Sequence, residues 1–147
     1  MRLKQRIIFS GSIASIASTG ALAYCGYREL LLPFAPINAI SHWIWPCHAM
    51  EEKKWSFKFT VTGFTIHTLS AIFWAGLFET LNRSPASKKL AEKAALTAAV
   101  AALTDLKVVP RRISPGFENK ISGTAVLGVY ATFGLALYLG SVVGRMR

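Results

Sequence analysis

Charge is scarce in this 147-residue chain, and acidic charge is scarcest. Charged residues make up 16% of it, against about 25% in a soluble domain. That leaves too little polarity to cover a water-facing surface. Seven Asp and Glu stand against 17 Lys and Arg, a formal net charge of +10. Cysteine is nearly absent: Cys25 and Cys47 form no CxxC pair, so a thiol-redox motif or a zinc knuckle has no support. There is no HExxH, CxxCH, GxSxG, Walker loop, dinucleotide fingerprint or carboxylate dyad. The chain therefore reads as non-enzymatic, with no cofactor expected.

What is present is apolar and comes in blocks. The composition is 52% hydrophobic, with a mean hydropathy of +0.39. Blocks at residues 7–27, 60–81, 88–109 and 121–143 are each long enough to cross about 30 Å of hydrocarbon at about 1.5 Å per residue. The sequence thus predicts an all-α fold, a single polytopic domain over 1–147 built as a bundle of four transmembrane helices. Basic residues sit in the short segments between blocks, where they anchor to lipid headgroups. No basic stripe or RNA-binding motif accompanies them, so the lipid bilayer, and not nucleic acid, is the expected partner.

The first block follows Arg2, Lys4 and Arg6 and invites two readings. A basic leader, an apolar stretch and Ala21-Leu22-Ala23 resemble a cleavable signal peptide. A retained helix is preferred, because the block is longer than a signal core and carries Gly11, Ser15, Thr19 and Ala23 as a small-residue packing face. Between Glu29 and Cys47 an apolar segment is broken by Pro33, Pro36 and Pro46. Pro36 opens and Pro46 closes a short interfacial or re-entrant helix near residues 36–46, with Trp43 and Trp45 at headgroup level.

Small residues recur every four positions on the last helix, at Thr124, Gly128, Thr132, Ala136, Gly140 and Gly144, and on the third at Ala91, Ala95, Ala98 and Ala102. Such faces let helices approach closely, within the bundle or against a homo-oligomer or membrane-protein partner. Basic residues divide almost evenly between the two sides. Both termini are assigned to the cytoplasm because three basic residues lead the first helix.

Four spans bring the first and third connections to one side of the membrane. Asn38, His42, Cys47 and His48 then share a side with Arg111, Arg112 and Glu118. His67 lies about two turns into the second span, and Asp105 about one turn from the end of the third. Gly63, His67, Ser70 and Trp74 share one helix face. The candidate polar site is therefore Asn38, His42, His67, Ser70, Asp105, Arg111, Arg112 and Glu118. Intramembrane ionisable groups are functional candidates. The structural alternative pairs His67 with Asp105 or a backbone carbonyl. For Asp105 the candidate partners are His67, Lys107, Arg111 and Arg112, or snorkelling to the interface. Arg111 and Arg112, held between Pro110 and Pro115, suit a carboxylate, a phosphate or a headgroup. Glu79 is expected to pair locally with Arg83 at i+4.

Three functions compete. The first is a structural or accessory protein with a polar binding site at one membrane face. The second is transport of protons, ions or a small anion through His67 and Asp105. The third is a haem or metal site using His42, His48 and His67; the spacing of His42 and His48 across Pro46 opposes it, and no metal is expected.

Three strings, Ala35 to Trp43, His67 to Glu79 and Asp105 to Glu118, resemble an uncharacterised family of small bacterial membrane proteins. The likeness covers about a quarter of the chain. It implies four spans in a bacterial inner membrane, and it implies no reaction, cofactor or catalytic residue.

Overall fold

Serine hydroxyls set where two of the long helices begin. Ser56 accepts from the Phe59 N–H and opens α4, Phe57–Leu81; Ser122 accepts from the Ala125 N–H and opens α6, Gly123–Met146. The first helix, α1, runs Leu3–Leu30 and stops at Leu31, whose φ of 58° is left-handed. The computed structural model describes residues 1–82 and 89–147. Between α1 and α4 lie α2, Ala35–Ile40, a 3-10 turn at Ser41–Trp43 and α3, His48–Glu51. The remaining long element is α5, Leu90–Leu103, which continues without a break into a π-helical turn at Thr104–Val108. Short 3-10 turns at Arg111–Ile113 and Phe117–Asn119 lead to α6. Among the described residues there is no strand, and the fold is all-helical.

Among the described residues three helices, α1, α4 and α6, are long and apolar enough to cross a membrane. The expected third span at 88–109 corresponds to α5, which is shorter. Its 14 α-helical residues reach about 21 Å, and five π-helical residues follow. Lys88 lies outside the described residues. The helix ends at Val108 because Val109 precedes Pro110 and is extended, at ψ 146°. The other spans exceed their expected bounds by up to four residues at an end. Apolarity marks the bilayer-sized core of a helix, whereas good helix formers such as Arg, Lys and Gln carry it further.

The long helices alternate in direction. Gly11 faces Ile72 and Gly76 faces Ile7, so α1 and α4 are antiparallel; Gly140 faces Ser10 and Gly144 faces Arg6, so α1 and α6 are too. Gly134 faces Ala98, which pairs α6 with α5. The order around the bundle is α4, α1, α6, α5, and the ring closes poorly because α4 and α5 scarcely touch. Both termini meet at one end, where the Met1 amine lies 3.4 Å from the Gly144 carbonyl oxygen.

Glycines mark the tight crossings. A Cβ on Gly11 would come within 2.8 Å of Ile72 Cα, and one on Gly140 within 2.9 Å of Ser10 Cα. The small-residue faces are therefore real but shorter than the sequence pattern. On α6, Ala136, Gly140 and Gly144 are buried, Thr132 is half-buried, and Thr124 and Gly128 are exposed, with open space beside Gly128. On α5 the buried alanines are Ala94, Ala98 and Ala101, while Ala91 and Ala95 are exposed. The reason is geometric. Each four-residue step rotates about 40° past a full turn, so a strict four-residue stripe winds away from any one neighbour.

Two apolar layers fill the bundle. Nearer the termini, Ala14, Ala71, Ala75, Phe78, Leu90, Ala94, Phe133 and Leu137 form one; Leu22, Ile37, Ile40, Phe117, Ile121, Val126 and Val129 form the other. All six residues of α2 are buried. The expected short helix is thus present but tucked against the bundle, and its regular part ends at Ile40, with the 3-10 turn running on to Trp43. Pro36 sits in its first turn, where a missing N–H costs nothing.

Candidate functional site: a cavity beneath a hydrogen-bonded roof

The first and third connections meet, as the sequence leads one to expect. Asn38 is fully buried; its Nδ2 donates to the carbonyls of Glu52 at 3.2 Å and Lys54 at 2.8 Å. Its Oδ1 accepts from the Thr60 hydroxyl at 2.6 Å. These bonds pin α2 to the start of α4. His42 is also buried, with Nδ1 2.9 Å from the Ala39 carbonyl oxygen and Nε2 3.3 Å from that of Arg111. Arg112 donates to the His42 carbonyl at 2.9 Å, and Trp43 Nε1 to that of Ser114 at 2.8 Å. Gly116, at φ 87°, passes so close that a Cβ would lie 2.7 Å from the Ala39 oxygen and 2.8 Å from His42 Nδ1.

Asn38, His42 and Arg112 therefore build a roof. Their bonds go to backbone carbonyls, apart from the Asn38–Thr60 contact, and His42 has no nitrogen turned to a ligand. His48 is exposed. Among the described residues no three His, Cys, Asp or Glu side chains come together as metal ligands.

Below the roof is a cavity of about 380 Å³, within the usual size range of ligand sites. It occupies the gap between α4 and α5 and reaches Ser18 of α1 and Val129, Tyr130 and Phe133 of α6. Ile40, Trp43, Ile113, Pro115 and Phe117 cover it. On the α4 side Leu69 and Phe73 line it while remaining 63% and 60% exposed, so the cavity opens sideways along the α4–α5 seam.

Three of the expected site residues, His67, Ser70 and Asp105, line this cavity. Each ionisable one has a partner that the sequence did not indicate. His67 Nε2 lies 2.8 Å from Ser18 Oγ, whose own proton is directed to the Ala14 carbonyl at 2.7 Å. With that proton directed to Ala14, the hydroxyl accepts from an imidazole protonated at Nε2. Asp105 Oδ2 accepts from Tyr130 OH at 2.9 Å. The expected His67–Asp105 pair and the expected pairing of Asp105 with Lys107, Arg111 or Arg112 are replaced by these contacts. A hydroxyl satisfies a buried polar group without importing a second charge.

The π-helical turn positions Asp105. The Val109 N–H reaches the Thr104 carbonyl at 2.9 Å, so the last turn is one residue wider than α-helix; such turns recur at functional sites. Glu118 lies on the neighbouring 3-10 turn. Its Oε2 is buried with no hydrogen-bond partner among the described residues.

A second polar cluster, at the terminal end, corrects another expectation. Glu79 is fully buried, 3.0 Å from Arg145 Nη2 and 3.4 Å from Arg6 Nε. Arg83, its expected partner, lies outside the described residues. Arg145 also donates to Ser141 Oγ at 3.1 Å and to the Asn82 carbonyl at 2.6 Å. Glu79 thus ties α4 to α1 and α6. Sequence spacing finds partners on the same helix, and these come from the two ends of the chain.

Comparison with protein-family models, curated proteins and solved structures gives no match.

Proposed function

We propose that this chain is a non-enzymatic accessory protein of a bacterial inner membrane that binds a small molecule in the cavity between α4 and α5. On this reading α5 and its π-helical turn form the fourth span, and both termini lie in the cytoplasm. One observation carries the proposal: a cavity of about 380 Å³ gathers His67, Ser70, Asp105 and Tyr130 on largely apolar walls. A largely apolar pocket with a few convergent polar groups is the common form of a small-molecule site. Exposed Gly128 and Thr124 on α6 leave room for a homo-oligomer or a membrane-protein partner in the same scheme.

Native mass spectrometry from lipid nanodiscs tests the binding site. A retained small-molecule adduct is expected on the parent chain and lost in Ser70→Trp, which fills the cavity. Adduct-free spectra for both count against the reading. Thiol labelling tests the spans: cysteines placed at His48 and Arg112 should react from one side, opposite to the termini. Labelling from different compartments removes the fourth span.

Transport is a second reading, supported by a separate observation. Ser10, Ser15 and Ser18 are fully buried and step along α1 from Arg6 toward His67, with Ser15 Oγ 2.8 Å from Thr68 Oγ1. Proton flux into proteoliposomes that disappears in both His67→Ala and Asp105→Asn would favour it, and undiminished flux in both would end it.

A further inference from the structure

We propose that the cavity takes a lipophilic organic cation, an amine or quaternary ammonium carried in the membrane, held between the Asp105 carboxylate and a cage of aromatic rings. The inference deepens the reading of this cavity as a binding site and rests on it.

The electrostatics run against the rest of the chain. The protein carries a net +10, yet no lysine or arginine lines the cavity. Among the described residues Asp105 is the one Asp, Glu, Lys or Arg on its wall; there its Oδ2 is hydrogen-bonded to a neutral hydroxyl and its Oδ1 meets no donor. Glu118, on the 3-10 turn beside the cavity wall residue Phe117, has a buried Oε2 with no hydrogen-bond partner among the described residues. A carboxylate with free acceptor capacity, on a wall where no described residue is lysine or arginine, repels an anion and suits a cation.

The walls fit the same class. Trp43, Phe73, Trp74, Phe117, Tyr130 and Phe133 all line the cavity. Phe73 and Trp74 meet edge to face at 5.4 Å, and Phe117 and Tyr130 lie at 6.2 Å, so rings of several orientations face one space. Aromatic faces attract cations, most strongly where water is excluded, and quaternary ammonium recognition commonly uses such cages. The seam beside Leu69 and Phe73 gives an amphiphile a sideways route that never crosses the roof.

Matched ions separate charge from shape. Tetraphenylphosphonium and tetraphenylborate, each titrated against the full chain in lipid nanodiscs with empty nanodiscs subtracted, should give saturable binding of the cation at one per chain and none of the anion. Asp105→Asn should weaken the cation at least tenfold, and Trp74→Leu should weaken it severalfold, with circular dichroism unchanged. Equal or tighter binding of tetraphenylborate, or cation binding that survives both substitutions, overturns the proposal. Saturable binding of neutral Nile red that Ser70→Trp abolishes, with no cation binding, would overturn the cation class and leave the cavity reading standing. Failure of all three probes would overturn both.

Discussion

Replacing Glu79 by glutamine keeps the side chain's shape and removes only its charge, which isolates what the buried carboxylate contributes. Glu79 is fully buried, and the Arg6 and Arg145 side chains are 12% and 10% exposed. Removing one partner of a buried ion pair costs about 3–5 kcal/mol, because the other charge is left uncompensated. Two features place this case at the lower end. Arg145 keeps its bonds to Ser141 and to the Asn82 carbonyl, and both guanidinium groups lie near helix ends. The expected loss is about 3 kcal/mol, on the order of a hundredfold in the folding equilibrium. Equilibrium unfolding in mixed micelles, followed by circular dichroism and tryptophan fluorescence, measures it. Arg6 has no other charged partner among the described residues, so adding Arg6→Met to Glu79→Gln should cost less than the sum of the single changes, by about 1–2 kcal/mol. Raising the salt concentration should barely alter the loss, since buried pairs are weakly screened. A Glu79→Gln protein within about 0.5 kcal/mol of the parent would refute the argument, because that is the range of a neutral surface change.

The roof offers three sharper tests of geometry. A Cβ on Gly63 would collide with the Ile37 carbonyl oxygen, so Gly63→Ala should cost about 2–3 kcal/mol and speed hydrogen exchange over residues 35–43; Gly128→Ala, facing open space, should leave stability unchanged. Gly116→Ala combines a left-handed φ of 87° with contacts at 2.7 and 2.8 Å and should lower stability by about 3 kcal/mol in the same unfolding assay. Asn38→Ala strips partners from two carbonyls and the Thr60 hydroxyl, an expected loss of about 3 kcal/mol, again read as a shift in the unfolding midpoint.

How much of this was legible in the sequence depends on the kind of pattern involved. Long apolar blocks announced the helices, because lipid leaves the backbone no other partner than itself. Two blocks lie between the segments of His42 and Arg112, which placed both at one end, and the structure joins them directly. Pairings between helices were less visible. Ser18 and Tyr130 are unremarkable residues in apolar helices, and what selects them is the angle at which α1 and α6 pass the cavity. Glu79 looked local because Arg83 follows at i+4, whereas Arg6 and Arg145 lie at the far ends of the chain. The small-residue stripe on α6 was half informative: its rotation of about 40° per step carries Gly128 out of the contact that Gly140 makes.

The cavity follows from a conflict between connections. Near the termini α4 and α5 are joined by packing, where Phe78 shares a core layer with Leu90 and Ala94. At the other end each helix meets a long connecting segment. Those two segments fold onto each other through Asn38, His42, Trp43 and Arg112, and their apolar side chains, Ile40, Trp43 and Phe117 among them, sit over the space between the helices. The helices are splayed where they would otherwise close. Because the roof is fastened mainly to backbone carbonyls, opening it would orphan several buried acceptors at once, each costing about 1–3 kcal/mol. The α4–α5 seam breaks none of those bonds when it widens, since Leu69 and Phe73 already stand exposed beside it. A ligand that reaches Asp105 therefore has one inexpensive route, through the seam, and substitutions at Leu69 or Phe73 should change its rate of arrival while substitutions in the roof change the stability of the fold.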